Sequence, residues 1–255
     1  MKRLENKVVI VTGSTSGIGI GIARLCALEG ADVVVCGRRE EKGLQVVNKI
    51  KEEGGKAVFH FFDITKEETI ESLIKDTYEQ FGHIDVLVNN AANVALKDGR
   101  VDELTVEMWD AIFSSDMRGT FYATKVALPY LMKNEKGGSI INLDSVAGVF
   151  GFGGAAYASS KGAVLSLTKH TALRYAGKGI RCNAVCPSTI ITPMTTSMDQ
   201  SKLDMEMMGQ MAKHGDLKVQ PCMPIDVARV CLFLASDDSK PITGQIMVCD
   251  YGSTL

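Results

Sequence analysis

The chain has no long apolar run, no Cys-x-x-Cys spacing, no surplus of charge of either sign and no low-complexity tract. Each absence removes a class of protein. Without a run of about 20 apolar residues there is no candidate membrane-spanning helix. The opening Met1-Lys2-Arg3-Leu4-Glu5-Asn6 passes straight into a strand-like segment, which leaves no room for a secretory leader. Seven scattered cysteines, an odd number, argue against a disulfide framework and against a zinc site. A reducing cytoplasm and a metal-free site are the expectation. A formal net charge of -2 gives no electrostatic footprint for nucleic acid. No stretch reads as a linker and no internal repeat is visible, so residues 1–255 are read as one domain. Its 45% hydrophobic and 23% charged residues are those of an ordinary globular protein.

What the chain does have is alternation. Short apolar, β-branched runs at Val8–Thr12, Asp32–Cys36, Ala57–Phe61, Val86–Asn89, Ser139–Leu143, Arg181–Val185 and Gln245–Val248 read as strands. Between them, amphipathic stretches at Ile18–Glu29, Glu40–Glu53, Lys66–Phe81, Val106–Asn134, Ala156–Ala176 and Pro224–Ala235 read as helices. The pattern predicts an α/β fold, a doubly wound seven-stranded parallel sheet with helices on both faces. The segment 189–224 shows no clear strand, and an irregular stretch that long is usually functional.

The first strand runs into Thr12-Gly13-Ser14-Thr15-Ser16-Gly17-Ile18-Gly19, which opens a helix. Glycines permit close backbone approach, and a helix N-terminus offers free amides to a phosphate. A glycine motif alone is weak, but between the first strand and the first helix it sits where dinucleotides bind. The tip of the second strand reads Cys36-Gly37-Arg38-Arg39, with no carboxylate to take a ribose hydroxyl. Guanidinium there suits a 2′-phosphate and points to NADP(H) rather than NAD; the bland alternative is a solvated arginine pair.

Tyr157 and Lys161 lie four apart, on one helix face, with Ser145 upstream at the end of an apolar strand. An ammonium so placed favours the phenolate of a tyrosine whose pKa is ordinarily about 10, which makes it usable as an acid or base. Chance produces that spacing often, so its weight comes from company.

The glycine turn, Asn89-Asn90-Ala91-Ala92 after the fourth strand, Ser145 and Tyr157-x-x-x-Lys161 occur in one order along the whole chain. Together with Asn183-Ala184-Val185-Cys186-Pro187 and Thr243-Gly244-Gln245 they resemble the short-chain dehydrogenase/reductases. The resemblance implies a Rossmann fold and a nicotinamide cofactor held by Gly13, Ser14, Thr15, Ser16, Gly17, Ile18 and Gly19. It implies Arg38 and Arg39 at the 2′-phosphate, Asp63 and Ile64 beside the adenine, Asn90 and Ala91 along the ribose, and Ala92 as a further cofactor contact. Ile190 and Thr192 would meet the carboxamide, and Pro187 would be a further cofactor contact. Tyr157 would donate the proton in reduction and accept it in oxidation, Ser145 would hydrogen-bond the substrate oxygen, and Lys161 would hold the ribose hydroxyls and tune Tyr157. A homotetramer or dimer is also implied.

Five features depart from that pattern. Asp116, in Asp116-Met117-Arg118-Gly119, replaces the asparagine that helps order a water toward the lysine; it either substitutes through its backbone carbonyl, alters the relay, or simply pairs with Arg118 or solvent. Ala92 and Ser188 stand where glycine is common. The loop Gly148–Gly154 is one residue tight between Ser145 and Tyr157. Asp144 is an unusual acid beside the site, capping backbone or facing solvent.

Six of the twelve methionines, Met194, Met198, Met205, Met207, Met208 and Met211, follow Thr192 in the region expected to form a lid. Flexible thioethers, with Phe150 and Phe152 nearby, suit a bulky apolar ligand, although a methionine-rich helix also packs well. The chain is similar to bacterial hydroxysteroid and bile-acid dehydrogenases, which implies a secondary alcohol and ketone as substrates. A 3-oxoacyl-thioester reductase, or an NADP-binding regulatory protein that has lost turnover, are the alternatives.

Overall fold

The strand runs are apolar at consecutive positions because helices cover both faces of the sheet they form. The computed structural model describes residues 2–92, 98–196, 204–216 and 218–255, with the side chains of residues 193 and 194 excepted. Its strands are β1 (Val8–Val11), β2 (Asp32–Gly37), β3 (Lys56–Phe61), β4 (Val86–Asn89), β5 (Gly138–Leu143), β6 (Ile180–Pro187) and β7 (Ile246–Cys249). They lie in the order β3-β2-β1-β4-β5-β6-β7, and every pair is parallel.

Alternation then sorts the strand residues by face. Val9, Val11, Val33 and Val35 enter a core with α1 (Gly17–Leu28), α2 (Glu40–Glu52) and α10 (Pro224–Ala235). Ile10, Val34 and Cys36 enter a second core with α3 (Glu67–Phe81), α5 (Gly119–Leu131) and the end of α7 (Ala155–Tyr175). Ile10, Leu87 and Ile140 are fully buried. Each such side chain contributes about 1.5–3 kcal/mol relative to exposure.

The single domain and its parallel sheet stand as the sequence predicts, and α10 has the predicted bounds. The stretch predicted as one helix over 106–134 does not. It breaks into α4 (Val106–Phe113), a π-turn (Ser114–Arg118) and α5, which ends at Leu131 with Pro129 inside it. One extra residue in the hydrogen-bond ring re-aims the helix beyond it, and such π-turns gather at functional sites. A short helix α6 (Val146–Phe150) occupies the loop after Ser145.

The predicted lid contains α8 (Pro193–Thr196) and α9 (Met205–Met211), and its base is fastened by a parallel bridge between Ile190 and Cys222. Met198 and the side chain of Met194 lie outside the described residues. All seven cysteines are free. Among the described residues no helix is long and apolar enough to cross a membrane.

The chain reverses direction across the sheet between β1 and β4. From β1 the connection through α1 leads to β2 on one side, while β4 lies on the other. Ligands of open α/β sheets bind at such a switch point, beyond the carboxyl ends of the strands. Gly13, Arg38, Asn90, Ser145 and Pro187 all sit at those ends.

Candidate active site

Glycine makes the turn after β1 possible at three positions for two reasons. Gly13 and Gly17 have φ of 66° and 57°, where a side chain is strained. Gly19 instead lacks room: a Cβ there would stand 2.6 Å from Asn90 Nδ2 and 2.8 Å from the Gly13 carbonyl oxygen. Ser16, the residue before α1, makes no side-chain cap, and the first turn of α1 holds no acid. The uncapped amides and their dipole are thus left for an anion.

Behind the turn, side chains do the stitching. Ser14 is buried; its hydroxyl donates to Val11 O and accepts from Cys36 N, while its own N–H donates to Cys36 O. Its polar groups therefore support the turn from within rather than face the crevice. Thr12 Oγ1 accepts from the N–H groups of Asn90 and Ala91, and Asn90 Nδ2 returns to Thr12 O at 2.8 Å. Neither Ala91 nor Ala92 has positive φ, which is why alanine serves at position 92. Ile64 packs against Gly119 at the start of α5, while Asp63 Oδ1 accepts from Thr65. Thr192 approaches the turn from the lid side; its methyl lies 3.8 Å from where a Cβ on Gly17 would be. It is held by reciprocal bonds with Thr195.

At the tip of β2, Arg38 and Arg39 are both exposed, and Arg39 reaches back to Thr15 Oγ1 at 3.4 Å. A guanidinium is thereby drawn onto the glycine turn instead of being merely solvated. The nearest acids in sequence, Glu40 and Glu41, lie in the first turn of α2, where the helix dipole favours them.

The second cluster surrounds Lys161. It is 5% exposed, donates from Nζ to Leu143 O at 3.0 Å, and lies 5.6 Å from the centre of the Tyr157 ring. Burial alone would push its ammonium down. Tyr157, Asp144, Asp116 and Cys186 outweigh that and lift its pKa above the ordinary lysine value. The lysine is a fixed positive charge beside a half-buried phenol.

Ser145 caps α6, accepting from Ala147 N at 3.1 Å and keeping its own proton to donate. The tight loop turns through Gly151 and Gly153, both at positive φ. Gly148 lies so close to Lys161 that a Cβ would stand 2.7 Å from its backbone carbon.

Asp116 is 1% exposed in the π-turn, with Ser115 Oγ 2.8 Å from its Oδ1. Arg118, two residues on, binds Glu67. Asp144 does not face solvent: it is 5% exposed, and Oδ1 accepts from Ser145 N at 2.7 Å. Burial pushes its carboxyl up to about 7, opposed by Lys161 and the Ser145 amide and helped by Asp116. The Cys186 thiol is pushed up to about 12, chiefly by burial and then by Asp144, so it stays neutral.

One contributor is not visible in the sequence pattern. Asp98 Oδ2 accepts from Tyr157 N at 2.7 Å and Oδ1 from Ala156 N at 3.2 Å, capping α7 where Gly154 offers no side chain. Gly154 is small for that reason, since its Cβ would overlap Asp98. A glycine at a helix start with an acid soon after the fourth strand is the only signal, and it is faint.

The glycine cradle, the uncapped helix and the arginine pair fit a dinucleotide. Similarity to known proteins agrees with the geometry. A family model described as enoyl-(acyl carrier protein) reductase matches residues 13–254. The chain belongs to the short-chain dehydrogenase/reductase family. It is 37% identical to a 3beta-hydroxysteroid dehydrogenase of Mediterraneibacter gnavus, covering 100% of this chain and 97% of that one. A 7alpha-hydroxysteroid dehydrogenase of Clostridium sardiniense is 39% identical over 96% of this chain and 92% of its own. A 3-oxoacyl-[acyl-carrier-protein] reductase of Thermotoga maritima is 36% identical over 99% and 100%. Among solved structures, a short-chain type dehydrogenase/reductase from Mycobacterium ulcerans superposes with a TM-score of 0.88 at 25% identity, over 98% of this chain and 90% of that one. The protein is accordingly an oxidoreductase of alcohol and ketone groups, and its family uses nicotinamide cofactors.

Proposed function

We propose that this short-chain dehydrogenase/reductase interconverts a secondary alcohol and a ketone on a hydroxysteroid or bile acid, with NADP(H). The observation that carries the chemistry is the buried, elevated Lys161 ammonium 5.6 Å from the Tyr157 ring. The phenol is the acid beside it whose proton the substrate oxygen can take without unfolding the cluster. In the reductive direction Tyr157 gives its proton to the carbonyl oxygen, which Ser145 orients by donating its free hydroxyl hydrogen. Lys161 stabilises the phenolate left behind, and in oxidation the same phenolate takes the alcohol proton. When bound, the nicotinamide cofactor supplies or receives the hydride.

The glycine turn, Asn90, Ala91 and Thr192 would hold the dinucleotide, and Arg38 and Arg39 its 2′-phosphate. That phosphate preference rests on the drawn-in Arg39 and on the missing carboxylate at the β2 tip. The substrate class rests on full-length similarity to two hydroxysteroid dehydrogenases and on α9, where Met205 is exposed. A second reading, 3-oxoacyl-thioester reduction, draws on the family model and the Thermotoga relative.

A substrate panel tests both: steroids and bile acids against acyl thioesters and short ketones, each with NADPH and NADH. Turnover of sterol ketones with NADPH, abolished in Tyr157→Phe, is the expected result. Preference for acyl thioesters would replace the substrate reading, and tight cofactor binding with no turnover on any ketone would replace the enzyme reading.

A further inference from the structure

β7 ends in a turn held by one buried carboxylate. Asp250 Oδ1 accepts from Gly252 N at 2.8 Å, and Oδ2 from Ser253 Oγ, Thr254 N and Thr254 Oγ1 at 3.1, 2.9 and 2.6 Å. Burial would raise this carboxyl; the hydrogen bonds outweigh burial and hold it below the ordinary carboxylate value, so the clasp is ionised near neutrality. Inside the clasp Tyr251 has a φ of 55°, a left-handed backbone that a bulky side chain adopts only where its surroundings impose it.

What the clasp fixes is the Ser253 carbonyl, and that carbonyl meets the lid. Asp216 N donates to Ser253 O at 2.8 Å, and a Cβ on Gly215 would stand 2.5 Å from the same oxygen. This contact seats the chain just beyond α9. The lid's other foot is the Ile190–Cys222 bridge, where Ser188 N and Cys222 Sγ both reach Cys249 O at 3.4 Å. Both feet stand on β7 and its turn, but they carry different things. The bridge carries Ile190 and Thr192, expected at the nicotinamide, and the turn carries α9 with its methionines.

We propose that Asp250 is a positioning residue for the substrate side of the lid: by fixing the Ser253 carbonyl it sets where α9 stands, and so how well a bulky ketone is held. The proposal rests on the reading of α9 as part of the substrate site and extends it. A small ketone that does not reach α9 is indifferent to the turn, and the bridge keeps the cofactor side in place.

Two variants loosen the same contact from opposite sides. Asp250→Ala removes the clasp, whereas Gly215→Ala leaves it whole and sets a methyl against the Ser253 carbonyl. In both, hydrogen exchange in the peptide that holds the Asp216 amide should quicken about fivefold, the worth of one net backbone hydrogen bond. KM for a 3-oxo steroid should rise about as much, while kcat, KM for cyclohexanone and Kd for NADPH stay within about twofold. Asp250→Asn, which keeps an acceptor for Gly252 N, should recover part of the loss. A merely structural Asp250 would lower melting and move both ketones alike or neither, which overturns the proposal; unchanged exchange at Asp216 overturns it too. Should Asp250→Ala fail to fold, Gly215→Ala, at a half-buried position, decides alone. A wild type that reduces no steroid ketone sinks the substrate reading by itself. The same comparison then runs with the largest ketone or acyl thioester it does reduce, and exchange at Asp216 judges the anchor without turnover.

Discussion

Replacing Asp144 with asparagine should make the protein more stable, and by an amount that grows with pH. The ordinary carboxyl value of 3.8 is raised in the fold to about 7 because burial outweighs the help of Lys161. The shift is roughly three units, and at about 1.36 kcal/mol per unit it amounts to about 4 kcal/mol. Below the unfolded value both states hold the proton, so wild type and variant should be equally stable. As pH rises between the two values the unfolded chain releases its proton while the folded one retains it, so wild-type stability falls by up to about 1.4 kcal/mol per unit. Above the folded value the difference is flat.

Relaxation of Lys161 and water entry trim the plateau, and about 2–4 kcal/mol is expected. Urea unfolding of both proteins from pH about 4 to about 9, at fixed ionic strength and without cofactor, measures it. A difference independent of pH would refute the reasoning. So would a variant less stable than wild type at the alkaline end, because the ionised carboxylate would then be a net partner of the lysine rather than a strained neighbour.

Three further outcomes are expected. Arg38→Ala should lower the ratio of NADPH to NADH efficiency by roughly tenfold, about 1.4 kcal/mol of charge-assisted contact; an unchanged ratio in steady-state kinetics removes the NADP assignment. Asp98→Ala deprives the Ala156 and Tyr157 amides of their acceptor and should cost about 1–2 kcal/mol in melting together with a fall in kcat. Asp98→Asn should recover much of both. Gly19→Ala forces a methyl against Asn90 Nδ2 and the Gly13 carbonyl, at about 1–3 kcal/mol. Cofactor Kd from fluorescence titration should rise with it, and an unchanged Kd would mean the cradle is not where the dinucleotide sits.

The sheet was legible because burial on both faces leaves a direct mark, runs such as Val8-Val9-Ile10-Val11 that alternate between two cores rather than between core and water. The glycine turn was legible because only glycine meets both the positive φ at positions 13 and 17 and the crowding at position 19. The π-turn left no such mark. Its residues keep the apolar rhythm of a helix, and a one-residue change of hydrogen-bond register does not alter composition. That is why the sequence leaves open whether Asp116 acts at the lysine or pairs with Arg118 or solvent, whereas in the fold it is buried beside the lysine's cluster. Asp98 was invisible for another reason: its cap bridges 59 residues of sequence, and local spacing carries no information about a partner that far away. Of the methionines that suggested an apolar ligand, Met205, Met207, Met208 and Met211 share the short helix α9, and the argument from thioethers rests on these four.

The departures from expectation gather within one cluster, and the physics of burial says why they cannot be independent. Lys161 loses solvation in the core, and its charge persists only because acids compensate it. A neutral residue in place of Asp116 would leave Asp144 as the main compensating carboxylate and pull its pKa down, since Asp116 is one of the groups holding it up. The double replacement would strip the lysine of both carboxylates, and burial would then act on its ammonium less opposed. Asp116→Asn combined with Asp144→Asn should therefore lower the Lys161 pKa further than either single change, and Tyr157 would lose part of the ammonium charge that tunes it.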